Sequence, residues 1–115
     1  MLLTTTIENL PGQTAVVSFS GPLTIGTSMK MADSQVQSAI SEGVTRMIFD
    51  LSNVDYMDSA GLGMLVYFYG AINQKSGAFR LCGVKPRILD LLKITHTDTF
   101  LSMDATREES LAALD

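Results

Sequence analysis

Two apolar segments joined by a short polar junction constrain this chain more than any other feature. Met47-Ile48-Phe49-Asp50-Leu51 is an almost unbroken apolar run, as expected of a strand buried on both faces. Ala60 to Ile72 carries neither charge nor amide, and Met64, Leu65, Phe68, Ala71 and Ile72 recur in it at helical spacing. A strand covered on both faces and followed by such a helix belongs to a layered α/β domain. The junction, Asp58-Ser59-Ala60-Gly61-Leu62-Gly63, sets a hydroxyl where the first N–H groups of the helix lack partners within it. Asp and Ser are preferred caps there, and the same donors welcome a phosphate. On local physics Ser59 is either a cap or a hydroxyl displayed for modification.

The rest of the chain supplies the other layers. Leu3 to Glu8 and Thr14 to Ser20 are rich in β-branched residues and flank Leu10-Pro11-Gly12-Gln13, a turn, so they predict a hairpin. Ser28 to Glu42 predicts a helix burying Met29, Ala32, Val36, Ala39 and Ile40, with Gly43 ending it. Ser76-Gly77 closes the helix after Ser59, and Ala78 to Gly83 reads as a strand. Lys85-Pro86 opens a short helix with Ile88, Leu91 and Leu92 on its apolar face. Phe100 and Leu101 predict a brief edge strand. Asp104 and Thr106 are alternative caps for a terminal helix, with Glu109 placed as in a capping box. The expected architecture is one α/β domain, residues 1–115, in the order β-β-α-β-α-β-α-β-α. Its mixed sheet has four or five strands, with helices mainly on one face.

On the helix after Ser59, the face opposite the apolar one collects Gly63, Val66, Tyr67, Gly70, Asn73 and Gln74. A glycine inside a helix costs on the order of 1 kcal/mol relative to Ala. A backbone packed against Gly63 and Gly70 would offset that cost; otherwise they are tolerated surface positions.

Several function classes are disfavoured. Eight basic and twelve acidic residues give a net charge of −4, and Lys and Arg are scattered, unlike the footprint of a nucleic-acid binder. Ala60 to Ile72 falls short of the roughly 20 apolar residues a membrane span needs. The N-terminus lacks the basic and long apolar regions of a signal peptide. A single cysteine, Cys82, and a single histidine, His96, make neither an intrachain disulfide nor a typical zinc site. Cys82 reads as a buried, inert strand residue, and the chain as a protein of a reducing cytoplasm. Ser59 is not in a Gly-x-Ser-x-Gly elbow, and His96 reads as a turn histidine. Asp50 and Asp55 read as solvated carboxylates, and Gly61-x-Gly63 is only a fragment of a dinucleotide fingerprint. No catalytic residue, metal ligand or cofactor site is therefore expected, and the chain is not expected to be an enzyme.

With Asp58 to Gly63 set in this element order, the chain resembles the STAS domain family, specifically the stand-alone bacterial anti-sigma factor antagonists. Residues 47–63 are similar to the family signature: an apolar strand, an Asp-Leu pair, a short loop, then Asp-Ser-x-Gly. Leu81 to Pro86, Ile88 to Ile94 and Ala105 to Leu114 resemble its C-terminal half. The resemblance implies a non-enzymatic regulatory protein that works by partner switching. Ser59 takes the position phosphorylated by a partner kinase, itself the anti-sigma factor. The unmodified form binds that factor, the phosphorylated form releases it, and a phosphatase restores binding. The implied partner-binding residues are Gly21, Leu23, Thr24, Tyr56, Met57, Asp58, Ser59, Gly61 and Leu62. Where the family usually reads Gly-x-Leu-Asp, this chain has Gly21-Pro22-Leu23-Thr24, keeping an oxygen but losing the charge. The alternative within the family is a non-phosphorylated scaffold or transporter-associated subunit, of the stressosome or lipid-transport type, in which Ser59 only caps its helix.

Overall fold

The computed structural model describes residues 2–114, so the ends of the expected 1–115 domain, residues 1 and 115, lie outside the described residues. Strands β1 (Thr4–Leu10) and β2 (Thr14–Ser20) form the expected antiparallel hairpin. Its turn needs left-handed backbone at Gly12 and Gln13, φ 80° and 59°. The chain continues through α1 (Thr27–Ser41), β3 (Arg46–Asn53), α2 (Ser59–Asn73), β4 (Ala78–Cys82), α3 (Pro86–Ile94), β5 (Ser102–Asp104) and α4 (Arg107–Leu114). A short 3₁₀ turn, Thr97–Thr99, separates α3 from β5.

The sheet order is β1-β2-β3-β4-β5, antiparallel only in the first pair. Each parallel pair is joined by a helix, and such crossovers are right-handed. Three successive crossovers stepping the same way put α1, α2 and α3 on one face of the sheet. The core lies there: Phe19, Phe49, Phe68 and Phe79 pack edge to face, with Phe49 central and its nearest ring 4.9 Å away. Strand β3 is buried on both sides, as its apolar run predicts, with Met47, Phe49 and Leu51 toward the helices and Ile48 away from them. On the second face Val16, Ile48 and Cys82 form a small apolar patch covered by Leu10, Leu111 and Leu114. Among the described residues α4 is the one helix that supplies that cover, so the helices are mainly on one face.

Three sequence expectations are corrected or resolved. The edge strand is Ser102–Asp104 rather than Phe100 and Leu101. Leu101 is instead driven into the core just before the strand, which can be polar because Asp104 pairs with Arg80 across the edge. The terminal helix is capped by Thr106, whose Oγ1 accepts from Glu109 N at 3.1 Å; Asp104 belongs to the sheet and accepts from Ser110 Oγ. Among the described residues no other backbone packs against Gly63 or Gly70: apart from the helix's own neighbouring backbone, nothing lies within 4 Å of a Cβ built on either.

Candidate functional site

In a parallel sheet the loops after the strands emerge along one edge. Here the β2–α1 loop and the β3–α2 loop leave that edge side by side. They are joined by backbone hydrogen bonds: Gly21 N to Asn53 O at 3.1 Å, Leu23 N to Tyr56 O at 3.0 Å and Asp58 N to Leu23 O at 3.2 Å. Leu23 and Met57 form an isolated parallel bridge, in effect a one-rung extension of the sheet. Both side chains are buried, at 0% and 6% exposure, and they anchor the two loops to the core.

Gly61 is the position that lets α2 begin against this bridge. A Cβ there would lie 2.3 Å from Leu23 O and 2.8 Å from Met57 Cγ. Only glycine allows that approach, which is a physical reason for glycine two residues after the serine. Gly21 has φ 106°, and its missing Cβ leaves room for Leu2 O.

The capping question is settled by Asp58. It has extended backbone and is the N-cap of α2, its Oδ1 accepting from Gly61 N at 2.9 Å. Its Oδ2 accepts from Ile25 N at 2.9 Å, which ties the β2–α1 loop to the helix start. These donors, Ile25 N–H first and Gly61 N–H second, hold the Asp58 carboxyl below the usual carboxylate range. Ser59 is thereby freed from capping. It is the first residue of α2 and is exposed, and its hydroxyl has no hydrogen-bond partner among the described residues. The positive end of the helix dipole lies directly behind it.

The nine residues implied as partner-binding are thus brought to one edge, but not all face outward. Tyr56 and Ser59 are exposed, and Gly21, Thr24, Asp58 and Leu62 are half-buried. Leu23, Met57 and Gly61 are buried. Ile25, 77% exposed beside Thr24, was not foreseen. An isoleucine stranded among Thr24, Gly26 and Thr27 is the signal that could have found it. A second unforeseen feature is the ion pair between Lys85, in the β4–α3 loop, and Asp55, in the β3–α2 loop. The Lys85 ammonium, by hydrogen bond and then by charge, holds the Asp55 carboxyl below its ordinary value.

Of the groups considered for chemistry, Asp50 and Cys82 are paired neighbours on β3 and β4. His96 follows the C-terminus of α3, at the far end of that helix from the Lys85 loop. Asp50 accepts from Ser52 N and Oγ, while Asp55 is held by Lys85. Among the described residues no three His, Cys, Asp or Glu side chains gather as a metal site would require. Burial first, and Asp50 second, push the Cys82 thiol up to about 12, so it stays protonated and unreactive. Among the described residues no helix is long and apolar enough to cross a membrane.

Comparison with known proteins shows the family and the fold. A family model, the STAS domain, matches residues 4–110. The anti-sigma F factor antagonist of Paenibacillus polymyxa is 38% identical over 80 residues, 66% of this chain and 68% of that protein. An anti-sigma-factor antagonist (STAS) domain protein of Planctomyces limnophilus, solved as a structure, is 26% identical. It has a TM-score of 0.80, covering 100% of this chain and 99% of its own. The fold is also that of the anti-sigma factor antagonist SpoIIAA in its unphosphorylated form, with TM-score 0.81 at 20% identity over 94% of this chain and 93% of that one. Its phosphorylated form gives 0.79 at 19% identity over 97% and 100%.

Proposed function

The chain belongs to the STAS domain family, and from that premise we propose that it is an anti-sigma factor antagonist switched by phosphorylation of Ser59. In the unmodified form it binds an anti-sigma factor and so frees a sigma factor. That anti-sigma factor is also the kinase that phosphorylates Ser59, and a phosphatase reverses the step. The whole cycle takes place in the cytoplasm. The protein itself has no turnover; it is a binding module.

The observation that carries this reading is the division of labour at the start of α2. Asp58 does the capping and leaves Ser59 an exposed hydroxyl without a structural task. A serine needed only for stability would be the cap. Phosphorylation adds about −1.5 to −2 charges to a contact surface that otherwise presents a small neutral group there. Placed at a helix N-terminus, that charge is tolerated by the fold. It is opposed by a partner whose surface was complementary to a hydroxyl.

The reading is tested with the purified anti-sigma factors of the same genome, each incubated with the chain and ATP, followed by intact-mass and peptide mass spectrometry. The expected result is a single phosphate on Ser59, absent from Ser59→Ala. Labelling elsewhere, or by none of them, sinks the switch. One observation favours the scaffold or transporter-associated reading: Thr24 stands where the family usually has a carboxylate. In that case no phosphate is transferred and binding of any co-purifying partner is indifferent to Ser59→Asp.

A further inference from the structure

A cleft of about 450 Å³ runs between α1 and α2, with Met29, Lys30 and Asp33 on one wall and Gly63, Met64 and Tyr67 on the other. It starts beside Ala60, immediately after Ser59. Tyr67 is 56% exposed, yet it is held from two sides: its ring stands edge-on to Phe68 at 5.1 Å and its hydroxyl accepts from Gln37 Nε2 at 3.0 Å. An aromatic side chain fixed in place while still open to solvent is an anchor whose ordering cost has been met before binding. Along the outer face of α2, Ser59, Gly63, Val66 and Gly70 follow one another at helical spacing, and α2 carries no charged residue from Ser59 to Asn73. The space above Gly63 and Gly70 is empty, so nothing inside the domain requires glycine there.

We infer that this cleft and the outer face of α2 form a docking groove for an apolar helix of the same anti-sigma partner, continuous with the contact at Ser59. The inference rests on the reading given under Proposed function and adds the kind of partner element that reads the site. The groove is uncharged on the α2 side and carries one cation and one anion, Lys30 and Asp33, on the α1 side. Its occupant therefore presents an apolar face rather than a charged one. Two glycines in line, seven residues apart, leave a flush strip of backbone that a straight rod can approach closely. That is the helix-in-groove mode of recognition, with Tyr67 as a hot spot on its rim. A second copy of this chain is not the occupant, because copies paired through this face would cover Ser59 and withhold it from a kinase.

The test uses Gly63→Leu and Tyr67→Ala beside wild type and Ser59→Asp. Each is titrated against the purified anti-sigma factors of the same genome, with urea unfolding of each variant as a control. Nothing stands near a Cβ at Gly63, so Gly63→Leu is expected to leave the unfolding midpoint unchanged or raised. Both groove variants are expected to weaken binding tenfold or more. If Ser59→Asp weakens binding while both groove variants bind as wild type does, the groove assignment is overturned and the Ser59 switch stands. If none of those factors binds wild type, the underlying reading falls, and the docking helix with it. Self-association of wild type that both groove variants abolish would overturn the choice of occupant in favour of a second copy.

Discussion

At the residue scale, Asp58 and Ser59 sit side by side with separate duties, and substitutions should tell them apart. Asp58→Ala removes the cap and the tie to Ile25 together, and should cost about 1–2 kcal/mol in urea unfolding. Ser59→Ala should stay within about 0.5 kcal/mol of wild type, as for a surface position without a partner. An equal loss in the two variants would return the capping role to Ser59. The depressed Asp58 carboxyl also fixes the sign of an acid effect. Its stabilisation is fully present above the unfolded-state value of about 3.9 and is lost as pH falls through the lower folded value. Asp55 and Asp104 are depressed as well, so Asp58→Asn should flatten only part of the acid limb of a stability–pH curve. The glycines of α2 sharpen the same point. Gly61→Ala forces a Cβ against Leu23 O and should destabilise by roughly 1–3 kcal/mol. Gly63→Ala has open space above it and should stabilise by about 0.5–1 kcal/mol. In the sequence these two glycines look alike; which one touches a neighbouring backbone depends on a loop more than thirty residues upstream.

At the element scale, what could be read in advance was what periodicity and local chemistry encode. The apolar stripes of α1, α2 and α3 and the doubly buried β3 followed from residue spacing alone. The edge strand did not. Phe100 and Leu101 are the apolar residues of that segment, but Leu101 is spent on the core, and β5 is held by its ladder with β4 and by Arg80 on Asp104. A short edge strand stabilised by an ion pair leaves no hydrophobic alternation to find. Helix α4 was expected, but its place on the opposite face of the sheet was not, since the three crossovers carry every other helix to the core side. That place has a measurable consequence. Leu111 and Leu114 cover Val16, Ile48 and the Cys82 thiol. Cys82 should therefore react with a disulfide reagent such as Ellman's only as fast as α4 lifts away. Leu111→Asp should speed the reaction at least tenfold without unfolding the main core. A rate equal to wild type would mean that Cys82 is reached by another route.

At the scale of the whole molecule, the parallel sheet explains why the site was partly legible. Alternation of strands and helices sends the loops after β2, β3 and β4 to one edge, so residues 21–24 and 56–62 could be expected to meet before any distance was known. Which of them face outward was not legible, because Leu23 and Met57 become a rung of the sheet, and apolar loop residues read the same whether buried or displayed. Ile25 is displayed and Leu23 is not, two residues apart. The same architecture predicts how a phosphate acts. Ser59 stands outside the core with no contact to displace, so phosphorylation should take the net charge from −4 to about −6 without unfolding the domain. The melting midpoint should move by no more than about 4–8 °C, the equivalent of 1 kcal/mol for a domain near this size. Anti-sigma factor affinity, measured on the same samples, should fall by at least tenfold. Ser59→Asp carries about half the charge and should fall short of the phosphoprotein. Thr24→Asp brings the family's usual carboxylate to the edge on which Ser59 stands, and should change affinity or phosphorylation rate while leaving the midpoint in place. Silence of both Asp variants in binding would favour the scaffold reading. A large drop in midpoint on phosphorylation would instead mean that the charge acts through the fold and not at the contact.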